Sequence, residues 1–208
     1  MPSLRQLLAA HGSVLLLDAA SARVQVGLLA HDAPARWAGS DDEAGVGVFR
    51  CLEELAVSPA DAGALAYCDG PRSVLGIRTV AMALRTWNVL QSRPMYAYHS
   101  LAVVAQALGR PDATIIADAR REAWHCLTLT SGLRRVPAAE LAGELIMPEG
   151  FRHWSTLPAG VTRTPYHLAE LLPKIADCDV FRPTDAPDAF LHEEPSYATW
   201  TPQIHRAP

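Results

Sequence analysis

Asp18 is the first residue whose position could support chemistry, because it ends the apolar run of residues 14–17. In a nucleotide-binding domain that opens with a hairpin, a carboxylate at this point faces a metal ion or a phosphate. A glycine turn normally follows it, so that backbone N–H groups can approach the phosphate. Asp18 is instead followed by Ala19, Ala20 and Ser21. We therefore expect Asp18 to hydrogen-bond within its own turn, with a vestigial nucleotide site as the alternative.

A second polar turn, residues 69–73, separates an apolar run from a helical pattern. A glycine turn before a helix can bind an anion, and Gly70, Ser73 and Arg78 could contribute to such a site together with Asp18. The turn lacks the lysine and the glycine count of a P-loop, which favours a structural connection between strand and helix.

A third polar stretch, DARRE (residues 118–122), lies between two strand-like segments and contains Asp118, Arg120 and Arg121. Charged stretches of this kind are typical of hairpin turns. The eight histidines show neither HxxxH nor HExxH spacing, and the chain has no CxxC pair and no GxSxG elbow. We therefore predict no catalytic residue and no metal site.

The composition is that of a globular protein, with 50% hydrophobic and 19% charged residues among 208. The formal net charge of -4 provides no overall basic field for nucleic acid. Cys68 and Cys126 fall in strand-like segments, which predicts buried thiols. No apolar run approaches the roughly 20 residues of a membrane span, and we expect a cytoplasmic protein with no membrane partner.

The order of the elements predicts an α/β fold. Three strands come first, the third near Trp37. They are followed by a helix (to Leu55), a strand and a second helix (Ile77–Leu90). A short strand from Met95 and a helix with Ser100 as its N-cap come next. A smaller set of strands and helices begins near residue 111, with helices expected over residues 138–145 and 166–176. This hairpin-led order is that of ribonuclease H-like domains of the actin, hexokinase and Hsp70 (ASKHA) type. We expect a lobe over residues 1–110 and a reduced lobe over 111–208.

The helix over residues 77–90 has two apolar sides. Its first stripe runs through Ile77, Val80, Ala81, Leu84 and Trp87. The second carries Met82 and Val89 beside Arg78 and Arg85. A helix that covers a sheet needs only one apolar face, and the remainder is normally charged. The second side either packs against another part of the same core or binds a partner protein, and the pattern is compatible with both.

The second turn and the start of this helix resemble a known protein family. The segment GPRSVLGIR (Gly70–Arg78) is similar to GPGSFTGLR of the bacterial TsaB (YeaZ) family, with departures at Arg72, Val74 and Leu75. The DARRE stretch resembles the family's DARRGEVY segment, and VLLLDAAS resembles its LAIDTST start. EPSYA (Glu194–Ala198) is a looser match to its EPxYLR segment. The matches occur in the family's order along most of the chain.

The resemblance implies a non-catalytic subunit of the machinery that makes threonylcarbamoyladenosine beside the tRNA anticodon. Its expected partners are a catalytic TsaD-type subunit and a TsaE-type ATPase, with ATP and Mg²⁺ acting at the level of the complex and tRNA contacted only indirectly. The isolated chain is expected to form a homodimer. By helical face, we predict that partner binding involves a set on the two helices after the N-terminal sheet: Val48, Cys51, Met82, Arg85 and Val89.

Two other functions fit the same sequence. One is an enzyme of the same superfamily, with weak nucleotide binding and kinase-like or peptidase-like activity, using Asp18 and the Gly70 turn. The other is a stand-alone homologue with a structural or regulatory partner. Magnesium-dependent ATP binding would favour the first, and a genome without a TsaD-like protein would favour the second.

Overall fold

The computed structural model describes residues 1–71 and 73–190, which form helices and strands in the predicted alternation. The helices are α1 (Leu4–His11), α2 (Ala44–Glu54), α3 (Val74–Leu90), α4 (Ser100–Leu108) and α5 (Leu168–Lys174). The strands are β1 (Ser13–Asp18), β2 (Val24–Ala30), β3 (Arg36–Ser40), β4 (Ala64–Gly70), β5 (Met95–His99), β6 (Ala113–Asp118), β7 (Ala123–Leu127), β8 (Arg134–Pro137), β9 (Glu144–Pro148), β10 (Thr162–Thr164) and β11 (Arg182–Pro183). Short 3₁₀ turns lie at Pro59–Asp61 and Ala138–Glu140.

The first lobe is a six-stranded mixed sheet in the order β11-β5-β4-β1-β2-β3. β1 pairs antiparallel with β2 and parallel with β4, and β4 pairs parallel with β5. Every residue of β4 is buried, and so are the apolar residues of β1. Continuous apolar strands of this kind are covered on both faces, and all four N-terminal helices pack on this sheet.

The second lobe is a five-stranded sheet in the order β10-β9-β6-β7-β8. Its central strand β6 pairs antiparallel with β7 and parallel with β9. Helix α4 contacts both sheets, and the buried side chains of the two lobes form one continuous hydrophobic core. The predicted division near residue 110 lies between the two sheets, but the chain returns at β11 to pair with β5 of the first sheet. The structure is therefore two mixed α/β lobes that share a core.

The predicted helix over residues 138–145 is wrong. Only Ala138–Glu140 forms a 3₁₀ turn, and Glu144–Pro148 is the buried strand β9. Leu141 and Leu145 have helical spacing, but Gly143 between them adopts a φ of 80°. That left-handed conformation, which glycine adopts at little cost, ends any helix at this point.

The predicted N-cap role of Ser100 is also wrong. Ser100 is the first residue of α4, and His99 occupies the cap position without a side-chain hydrogen bond. The hydroxyl of Ser100 donates instead to the carbonyl oxygen of Pro71, at 3.1 Å. This bond ties α4 to the turn after β4.

All four cysteines are unpaired thiols, and Cys68 and Cys126 are buried as predicted. Within residues 1–71 and 73–190, the helices are too short or too polar for any of them to cross a lipid bilayer.

Candidate functional site

Helix α3 buries one side against the first sheet and leaves a second apolar side exposed. Gly76, Ile77, Val80, Ala81 and Leu84 are buried, in agreement with the predicted stripe. The other side and the neighbouring face of α2 expose large hydrophobic residues, with the exposed fraction in each case: Leu75 81%, Met82 59%, Val89 86%, Leu90 80%, Val46 50% and Phe49 51%. Monomeric proteins seldom leave apolar patches of this kind uncovered unless something binds there.

A groove of about 480 Å³ runs between α2 and α3. We call it the α2–α3 groove, and it is lined by Ala44, Val48, Phe49, Arg78, Thr79, Met82, Ala83, Thr86 and Trp87. The Phe49 and Trp87 rings meet edge to face at 6.4 Å. The hydroxyls of Thr79 and Thr86 donate to carbonyl oxygens one turn back, each at 2.9 Å, so these residues leave few polar atoms in the groove.

The structure corrects the predicted face of α2. Val48 and Cys51 are each only 1% exposed, so their side chains belong to the core. Val48 reaches the floor of the groove, whereas Cys51 does not line it. The large apolar residues that α2 exposes are Val46 and Phe49 instead. Apolar residues occur on both sides of α2, so spacing alone could not identify the exposed side.

The predicted residues on α3 do lie at the surface. Met82 and Val89 are exposed, and the guanidinium of Arg85 lies 3.4 Å from the carboxylate of Asp188. Arg78, at the edge of the groove, lies 3.5 Å from the same carboxylate. Asp188 therefore brings the segment after β11 alongside α3.

Asp18 is fully buried and points into the core. Its Oδ2 accepts hydrogen bonds from the hydroxyls of Tyr98 and Tyr166, both at 2.7 Å, and its Oδ1 accepts one from the Ala20 N–H at 2.9 Å. The last bond is the own-turn contact expected from the sequence. Burial raises the pKa of Asp18, and the hydrogen bonds from the two tyrosines and Ala20 oppose that rise. Its carboxylate joins β1, β5 and the segment before α5 rather than facing a ligand.

Hydrogen bonds of Asp69 fix the turn after β4. One Asp69 oxygen lies 2.7 Å from Nδ1 of His99, and the other accepts a hydrogen bond from Arg182 of β11. The Phe190 N–H donates to the carbonyl oxygen of Asp69 at 2.7 Å. Asp69 is thus a structural anchor for the turn. Arg72 lies outside the described residues, and so does the EPSYA segment.

A cleft of about 520 Å³ separates the two lobes. One wall is formed by residues 19–22 and by the first turns of α2 and α3, including Ser73. The other wall carries Arg120, Arg152 and Trp154 of the second lobe. Ser73 is the one predicted anion-site residue that lines the cleft. Asp18, Gly70 and Arg78 do not line it, so the structure does not bring the four together there.

Gly76 allows α3 to approach the first-lobe wall of this cleft. A Cβ at Gly76 would lie 2.7 Å from the carbonyl oxygen of Ala19, whereas a Cβ at Gly45 would meet only Thr79, at 3.9 Å. We expect Gly76→Ala to lower the free energy of unfolding by roughly 1–3 kcal/mol, because backbone must move. Gly45→Ala, the matched control in α2, should raise it by up to about 1 kcal/mol through helix propensity. Urea unfolding measures both, and equal effects would contradict the close contact.

The DARRE stretch forms the hairpin turn between β6 and β7, as predicted. Asp118 accepts hydrogen bonds from the N–H groups of Arg120, Trp154 and Ser155 and from the Ser155 hydroxyl. Arg120, Arg121 and Glu122 all have positive φ, at 61°, 52° and 56°. This left-handed turn, unusual for non-glycine residues, places the Arg120 guanidinium 4.6 Å from the centre of the Trp154 ring.

Burial alone would raise the pKa of Asp118, but the donors that surround its carboxylate lower it overall. A lowered pKa means that ionised Asp118 stabilises the fold above its unfolded pKa, and that this stability is lost as the pH falls through the folded pKa. Asp118→Asn should therefore cost roughly 1–3 kcal/mol at pH 7 and progressively less at acidic pH. Urea unfolding at pH 7 and about pH 3.5 tests this, with exposed Asp112→Asn as control, and a cost independent of pH would contradict it.

Side chains that could hold a metal ion do not come together in the described part of the chain. There is no group of three or more His, Cys, Asp or Glu residues with suitable geometry within it.

Sequence reasoning missed the aromatic residues of both sites. Phe49 shapes the α2–α3 groove, Trp154 lines the cleft, and Tyr98 and Tyr166 hold Asp18. Trp87, which the pattern assigns to the buried stripe of α3, is half-buried and lines the groove. The charged neighbour of Phe49, Arg50, is the signal in the sequence that could mark this side of α2 as exposed.

Known proteins resemble this chain in structure. No family model matches it, and no curated protein matches it in sequence. YeaZ from Pseudomonas aeruginosa superposes with a TM-score of 0.59 at 21% identity, covering 79% of this chain and 90% of that one. A second structure, of an uncharacterized protein with similarity to peptidase YEAZ from Pseudomonas aeruginosa, gives 0.58 at 21% identity with the same coverage. The chain therefore has the two-lobed ASKHA-type fold of the YeaZ structures.

Proposed function

We propose that this chain is the non-catalytic, TsaB-type subunit that pairs with a TsaD-type threonylcarbamoyltransferase in tRNA modification. The observation that carries the proposal is the α2–α3 groove, an apolar surface on the two helices where the family resemblance expects the partner. The GPRSVLGIR and DARRE segments and the likeness to YeaZ structures support it.

The surface has the character of a protein interface. Met82 and Phe49 present large apolar side chains at the groove and Arg78 lines its edge. Arg85 lies next to Arg78, with both guanidinium groups beside Asp188. Apolar and aromatic residues with arginine nearby are enriched at the centres of protein interfaces. A pair of helices from a TsaD-type subunit, apolar on one face, would cover this groove and form a four-helix contact with α2 and α3.

The same groove offers a surface for self-association. In a symmetric dimer, one patch contacts its own copy, so a single apolar face serves both protomers. We propose that the isolated chain pairs in this way and that the TsaD-type subunit replaces the second copy. ATP and Mg²⁺ would act within the larger complex, which includes a TsaE-type ATPase.

Co-purification tests the proposal. This chain and the TsaD-type protein of the same organism would be co-expressed with one affinity tag and separated by size-exclusion chromatography. A stable complex of the two chains is the expected result. If the partner does not bind and this chain elutes as a stable dimer, the stand-alone homologue is favoured, and ATP binding with Mg²⁺ becomes the next measurement.

A further inference from the structure

The second-lobe edge of the cleft carries an exposed group that the proposed pairing does not use. We call this group the arginine–tryptophan rim, and it consists of Arg120, Arg121, Arg152 and Trp154. Trp154 is 63% exposed, and the Arg120 guanidinium lies 4.6 Å from the centre of its ring. The three arginines are exposed as well. The rim thus places a large aromatic surface and three guanidinium groups side by side at the edge of the cleft.

Acidic residues near the rim are largely engaged elsewhere. Asp118 turns its carboxylate toward four donors, as described above. On the opposite wall of the cleft, Asp41 lies 3.1 Å from Arg23 and Asp42 lies 2.6 Å from Arg50. Glu122 beside the turn and Glu43 on the opposite wall each offset one of the three positive charges. The rim therefore keeps a local excess of positive charge although the whole chain is acidic.

The rim adjoins the proposed docking surface. Ala44 and Thr79 line both the cleft and the α2–α3 groove. The first turns of α2 and α3 therefore form one wall of the groove and also the wall of the cleft that faces the rim. A partner seated in the groove would lie at the mouth of the cleft that the rim borders.

We propose that the arginine–tryptophan rim binds RNA directly. The arginines would neutralise backbone phosphates, to which the guanidinium group is well matched. Trp154 would stack on an unpaired base, the mode by which proteins bind single-stranded loops. The identity of the RNA rests on the proposed function, which makes it a tRNA. The net charge favours indirect contact only, but it averages over the whole surface and does not describe this local patch.

The test measures RNA binding to the full chain by fluorescence anisotropy at increasing KCl concentration. The probe is a labelled RNA hairpin with an unpaired, adenosine-containing loop, compared with a duplex of the same stem. The rim variant is Arg120→Gln with Arg121→Gln and Arg152→Gln. Its charge-matched control replaces three exposed arginines far from the rim by Gln: Arg5, Arg36 and Arg110.

We expect the rim variant to raise Kd for the hairpin at least tenfold and the control variant to change it less than threefold. The slope of log K against log salt should fall by about 2, since each single-strand phosphate contact contributes about 0.7. Trp154→Ala should weaken hairpin binding about tenfold and duplex binding less. Thermal melting checks that each variant is folded.

Three results would overturn the proposal: no hairpin binding by the wild type, unchanged binding by the rim variant, or equal losses in the rim and control variants. Pairing with the TsaD-type subunit, measured on the same variants, separates this proposal from the proposed function. Unchanged pairing with weakened RNA binding supports the rim as an RNA site. Weakened pairing with unchanged RNA binding assigns the rim to the protein partner and overturns the RNA site alone.

Discussion

Met82→Glu is expected to weaken pairing with the TsaD-type subunit at least ~100-fold. Met82 is 59% exposed and lies in the α2–α3 groove, so the substitution places a carboxylate where the partner would cover it. A buried charge without a partner costs roughly 3–5 kcal/mol. Each factor of ten in Kd corresponds to about 1.4 kcal/mol. The measurement is isothermal titration of the purified TsaD-type subunit into each variant.

The controls separate a lost contact from a damaged fold. Because Met82 is exposed in the isolated chain, its replacement should leave the melting temperature nearly unchanged. Phe49→Glu should weaken pairing to a similar extent, while Ala139→Glu, exposed in the second lobe, should leave it intact. Arg85→Glu should weaken pairing less, because Arg85 lies at the margin and already contacts Asp188. Unchanged affinity in Met82→Glu would place the partner on another surface.

Asp18→Ala is expected to lower the free energy of unfolding by about 3–5 kcal/mol. The substitution leaves the hydroxyls of Tyr98 and Tyr166 and the Ala20 N–H buried without their acceptor. For a chain of this length the melting temperature should fall by about 10 °C. Asp41→Ala, which removes an exposed carboxylate paired with Arg23, should cost less than about 1 kcal/mol.

The pH dependence identifies the ionisation of Asp18. Its folded pKa is raised, so this group stabilises the fold most below the unfolded pKa, and that stability is lost as the pH rises through the folded pKa. Asp18→Asn removes this dependence. Its amide oxygen can still accept from the Ala20 N–H, whereas its N–H₂ group replaces the oxygen that accepts from the two tyrosines. Relative to the wild type, we expect the Asn variant to be most unfavourable near pH 4 and least unfavourable at pH 8. A constant difference between urea unfolding curves across this range would contradict a raised pKa.

The centre of the first sheet could be predicted because its strands β1 and β4 are continuous apolar runs. The run of residues 14–17 and the run of residues 64–68 are both buried on the two sides that a parallel sheet covers. The sequence predicts a helix where strand β9 forms, since Leu141 and Leu145 have helical spacing and the positive φ of Gly143 is not visible in a sequence. Strands β10 and β11 have three and two residues, too few to show a period.

The candidate sites could be predicted only in part. The second apolar side of α3 is visible in the sequence from Met82 and Val89. The spacing does not identify its companion Phe49, because α2 has apolar residues on two sides. The residues that hold Asp18 could not be found from spacing at all, as Tyr98 and Tyr166 are 80 and 148 positions away along the chain. Contacts of this separation depend on the packing of the two lobes. The same holds for the cleft, where Arg120 and Trp154 meet only after folding.

The most direct test of the account is threonylcarbamoyl transfer to tRNA by the TsaD-type subunit, with the TsaE-type ATPase, ATP and Mg²⁺, in the presence and absence of this chain. We predict that transfer requires this chain and that Met82→Glu lowers it in parallel with the loss of pairing. Transfer at the same rate without this chain would contradict the proposed function.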